Sequence, residues 1–131
     1  MTRLPICILA VSIIHYSQAQ SYRLPPWPNG AKVAVSLTFD DNCSGQFSHA
    51  QPAIDAKGFK GSFFVNPISS PCSSIEWQCV AQAFAAGHEI GSHTLTHPNL
   101  RRLDSEVIEN EIRGAVDTLQ RRLGPEVSPR P

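Results

Sequence analysis

The sequence predicts an α/β protein built on parallel strands. Three observations lead there. A β-branched run, Lys32 to Asp41 (KVAVSLTFDD), alternates in the manner of a strand and carries apolar residues on both faces. Two further short apolar stretches, GSFFVN at 61–66 and the piece ending just before His93, are bounded by Gly and Pro. Between and after them lie segments of helical periodicity, so the order is β-α-β-α-β-α and the crossovers are right-handed.

The elements follow in order. Arg3 precedes an apolar run from Leu4 to Ile14, well short of the ~20 residues that span a bilayer. Ser17-Gln18-Ala19 then supplies small residues for a signal peptidase, so residues 1–19 read as a signal peptide and the mature chain as exported and soluble. Residues 20–26 begin a Pro-rich lead-in (SYRLPPWPNG) whose Asn-Gly ends in a turn, placing the domain at 27–131. Phe47 to Lys57 is a helix with Pro52 early and Gly58 at its end. Ser74 to Ala86 is helical, with Trp77, Val80 and Phe84 on one face and Gly87 as its stop. A final helix runs from Asp104, as N-cap, to Leu123. Its stripe is Ile108, Ile112, Ala115, Leu119 and Leu123. Glu106, Glu109 and Glu111 read as part of its solvated face.

Candidate chemistry gathers at two strand ends. The first strand stops in Asp40 and Asp41, and strand C-termini are where α/β folds build sites. An isolated pair of carboxylates is more often a cap and a solvated turn. Downstream, GHEIGSHTLTHP presents His93 and His97 four residues apart. Two imidazoles and a carboxylate leave coordination positions open, the composition of a catalytic divalent-metal site. His88-Glu89 invites comparison with a zincin helix, but the next histidine is one residue too far and Gly91 argues against a helix.

SLTFDD followed by GHEIGSHTLTHP resembles the first two motifs of the polysaccharide deacetylases, the NodB-homology or carbohydrate esterase family four domain, and GFKGSFFVNP resembles its second strand. The resemblance implies an irregular (β/α) barrel, of which this chain holds roughly the first three βα units. It implies Asp40 as general base and Asp41, His93 and His97 as ligands of a divalent metal such as Zn2+ or Co2+. The substrate implied is an N-acetylated, glucosamine-containing polymer such as chitin or peptidoglycan. Asn42 stands where many members have Gly. Arg130-Pro131 falls about where the family's third motif begins. That motif, a later acidic-aromatic motif and a late His general acid are incomplete here. The expectation is therefore an N-terminal portion with little activity alone.

Charge is balanced, 11 basic against 11 acidic residues, which gives no footprint for nucleic acid or an anionic membrane. Removing the signal leaves about 110 residues, one small domain. Cys7 falls in the signal, leaving Cys43, Cys72 and Cys79. The short loop between Cys72 and Cys79 makes that pair the expected bridge, with Cys43 single or paired beyond this chain. Asn42-Cys43-Ser44 matches a glycosylation sequon, expected to be unused beside Asp41. Two other readings compete: a non-catalytic carbohydrate-binding remnant, and a two-His, one-carboxylate iron oxygenase. The second usually brings its ligands as H-x-[DE] with a distant His, the reverse of the order here.

Overall fold

Phe63 is the hub of the core. It is fully buried, with Phe39 stacked on it at 4.8 Å and Phe47 at 5.3 Å, and the His88 ring meets it edge-on at 5.3 Å. These four residues come from the first three strands' neighbourhood, so alternate burial along the strands brings their inward faces together. The computed structural model describes residues 25–68 and 75–127. The expected signal peptide, the start of the lead-in, Cys72 and Arg130-Pro131 lie outside the described residues.

The chain divides into a unit ending at Ala34 and one beginning at Val35. In the first, a 3-10 turn spans Pro28–Gly30, with Asn29 and Gly30 at φ 57° and 69°, the turn that Asn-Gly predicts.

The second unit has the predicted order. Strand β1 (Thr38–Asp40) runs into a π-helical turn (Gln46–Ala50) and α1 (Gln51–Asp55). Pro52 has no N–H to donate, and the i→i+5 turn ends just before it. Strand β2 (Ser62–Val65) precedes α2 (Trp77–Ala85), and β3 (Glu89–Ser92) precedes α3 (Ser105–Leu123). The three strands form one parallel sheet in the order β1-β2-β3, with Phe39 opposite Phe63 and Phe63 opposite Ile90. Val65, Val80, Ala83, Ile90, Leu119 and Val127 complete the core.

Three expectations need correction. The first strand is much shorter than Lys32 to Asp41: Val33 and Val35 are 76% and 79% exposed, and the ladder starts where Ser62 N–H reaches the Leu37 carbonyl at 2.8 Å. The apolar run outlasts its pairing partner because β2 begins only at Ser62. The α3 stripe is rotated: Ile112 is 49% exposed and Glu111, at 7%, is buried in its place with Ala115 and Leu119. Asp104 holds the N-cap position with extended φ/ψ, but its carboxylate makes no capping bond.

The cysteines also depart from expectation. Cys43 is disulfide-bonded and Cys79 is a free thiol. Cys79 lies in the first turn of α2, where its Sγ faces the Glu76 carboxylate at 3.3 Å. That hydrogen bond, with some burial, raises the thiol's pKa and quiets its reactivity.

Candidate metal centre

All of the predicted site residues lie at the C-terminal end of the sheet. Asp40 is the last residue of β1, exposed, with its carbonyl accepting a hydrogen bond from the Gln46 side chain. Asp41 follows at φ 72° and Asn42 at φ 52°, two left-handed residues that turn the chain sharply off the strand. After β3, the loop from His93 to His97 carries two more, Thr94 at φ 64° and His97 at φ 57°. His97 N–H donates to the Thr94 hydroxyl at 3.1 Å, which closes the loop on itself and brings both imidazoles to one side.

The structure brings Asp41, His93 and His97 together, with one ligand atom from each inside 4.8 Å. His93 Nε2 lies 3.4 Å and His97 Nε2 3.2 Å from Asp41 Oδ1, and the two rings are 5.0 Å apart. A charge-assisted N–H···O bond is shorter, about 2.7–2.9 Å. An ion about 2.0–2.1 Å from each ligand in a tetrahedral array spaces those ligands roughly 3.3 Å apart. Both imidazole-to-carboxylate separations lie near that value, and the three side chains form a group that could hold a metal ion. Asp40 does not belong to this trio, so the two adjacent carboxylates are separated as β1 ends.

Residues that sequence reasoning missed brace the segments that carry these three side chains. Asn42 is 3% exposed, its Nδ2 donating to the Asn66 carbonyl at 2.8 Å and its Oδ1 accepting from Asn66 N–H at 3.0 Å. Asn66, fully buried, donates in turn to the carbonyls of His93 and, at 3.3 Å, Thr94. The ends of all three strands are thus tied by side-chain amides. Glu111 reaches from α3 into the histidine loop: Oε2 accepts from Leu95 and Thr96 N–H at 2.9 Å each, and Oε1 from the Thr96 hydroxyl at 2.7 Å. Asn66 gave no sequence signal. Glu111 did, since it lies three residues after Ile108 and four before Ala115, on the buried stripe.

The opposite end of the sheet carries a different cluster. Gly61 N–H donates to His88 Nδ1 at 3.1 Å, so the proton sits on Nε2, which faces Asp55 at 3.1 Å. Lys60 Nζ, at 2.9 Å, and then His88 hold the Asp55 carboxyl below its ordinary 3.8. A cleft of about 380 Å3 beside it, lined by Phe84, His88 and Val127 among others, lies away from the three ligands.

A profile of the polysaccharide deacetylases matches residues 28–129. The chain belongs to the polysaccharide deacetylase family. A chitin deacetylase of Arthroderma benhamiae is 33% identical over 88 residues, 65% of this chain and 23% of that protein. A chitooligosaccharide deacetylase of Rhizobium leguminosarum bv. trifolii is 35% identical over 91 residues, 60% of this chain and 36% of the relative. Among solved structures, the Streptococcus pyogenes deacetylase PplD in complex with acetate superposes with a TM-score of 0.64 at 23% identity, over 71% of this chain and 42% of that one. This polysaccharide deacetylase chain spans 23% and 36% of the length of these two curated relatives.

Proposed function

We propose that the chain carries the metal site and general base of a secreted polysaccharide N-deacetylase acting on a glucosamine-containing polymer of the chitin or peptidoglycan type. The observation that supports it most is the convergence of Asp41, His93 and His97 at metal spacing, in a member of this family. A divalent ion held there, Zn2+ or Co2+, would supply Lewis-acid polarisation of the N-acetyl carbonyl. Asp40, exposed at the strand end and outside the ligand trio, takes the proton of the attacking water as general base. Its neighbour Asp41 is committed to the ligand set, so the two carboxylates have different work. The donor that protonates the leaving amine is not assigned to any described residue. The three parallel strands stand as the first part of the irregular (β/α) barrel, and the apolar segment before Ala19 as an export signal cleaved before Gln20.

Acetate release from chitin oligosaccharides, measured together with metal content, tests the assignment. In a full-length context that includes the later motifs, Asp40→Asn should abolish release and leave the metal in place, because it removes a base and not a ligand. Asp41→Asn should lower both. Equal metal loss in the two variants would show that the roles are misassigned.

A further inference from the structure

The Glu111 carboxylate takes hydrogen bonds from two of the three residues between His93 and His97. A carboxylate 7% exposed at a stripe position is costly to bury unless its oxygens are satisfied. Docking α3 alone would be served by an apolar residue there, as it is at Ala115 and Leu119. What the carboxylate satisfies are the N–H groups of Leu95 and Thr96, which the left-handed turn at Thr94 presents toward α3. One helical turn further on, Gly114 makes room for the same loop: a Cβ there would come within 3.3 Å of Leu95 Cδ2. Left-handed backbone at Thr94 and His97 is unfavourable for these residue types and persists only where the surroundings fix it.

We infer that Glu111 is a positioning residue for the metal centre, holding the His93–His97 loop in its ligand-presenting shape from outside. This rests on the metal-site reading above. Outer partners of metal ligands typically change affinity by about 10–100-fold when removed. The test is Zn2+ affinity of the full chain, by competition with a chromophoric chelator, and the Co2+ absorption spectrum. Glu111→Ala should weaken Zn2+ binding by about 10–100-fold and change the shape of the Co2+ bands. Glu111→Gln keeps the side chain's form but leaves one uncharged acceptor and turns the other oxygen into an NH2 donor, and should fall between that variant and the wild type. It also serves if Glu111→Ala does not fold. Leu119→Ala, which loosens the same helix away from the loop, should leave affinity within a few-fold of the wild type. Glu111→Gln indistinguishable from the wild type, or Leu119→Ala as damaging as the Glu111 variants, would overturn the inference alone. A wild-type chain that binds no Zn2+ would overturn the metal-site reading and this inference with it.

Discussion

Asn42 illustrates how much at this site depends on side chains that touch no substrate. Its amide group satisfies both the N–H and the carbonyl of Asn66 in a buried setting. Asn42→Ala strands both, at about 1–3 kcal/mol for each group left unpaired. Urea denaturation should show that loss, and a midpoint unchanged from the wild type would contradict it. A second residue-scale prediction concerns Asp55. Lys60 and His88 lower its carboxyl pKa in the folded state, so its ionisation stabilises the fold. The contribution is present above about pH 4 and is lost as acid carries the pH through the lowered folded value. The difference in Tm between wild type and Asp55→Asn should be steady near neutrality and close in acid. A difference that widens on acidification would show the sign to be wrong. The convergence of Asp41, His93 and His97 was legible in the sequence because two spaced motifs each carry an unusual residue type after a strand. Asn66 was not, because an Asn between a strand and a Pro has an ordinary explanation as a turn residue.

Sheet elements were read correctly in number, order and direction, and less well in extent. Alternation from Lys32 onward says that those residues can form a strand. Whether they do depends on a partner at the right register, and β2 supplies one only from Ser62. Helix α3 shows the converse limit. A period of 3.6 allows the stripe to pass through Ile112 or Glu111, and apolar preference chose the former. Three hydrogen bonds from the histidine loop decide for the latter. Gly91 matters at this scale too. It lies opposite Phe64 in the ladder, and a Cβ there would meet the Phe64 ring at 2.6 Å. Gly91→Ala should destabilise by about 1–3 kcal/mol, the usual range for overpacking, measured by thermal or urea unfolding. A variant as stable as the wild type would show that the ring swings aside freely. Phe63→Ala, at the centre of the aromatic stack, should cost more, about 3–5 kcal/mol.

At the scale of the molecule, the parallel sheet points the C-terminal ends of β1, β2 and β3 the same way, and everything proposed for catalysis gathers there. That placement explains why residues more than fifty positions apart in sequence can share one ion. The cleft and the Asp55–His88 pair occupy the other end, where the His88 ring packs edge-on against Phe63. Metal content is the decisive measurement for this end of the sheet. Elemental analysis of the purified wild-type chain should find about one equivalent of Zn2+ or a similar divalent ion. The double variant His93→Ala, His97→Ala should retain essentially none. Equal metal in the double variant and the wild type would contradict the assignment of Asp41, His93 and His97 as a metal site.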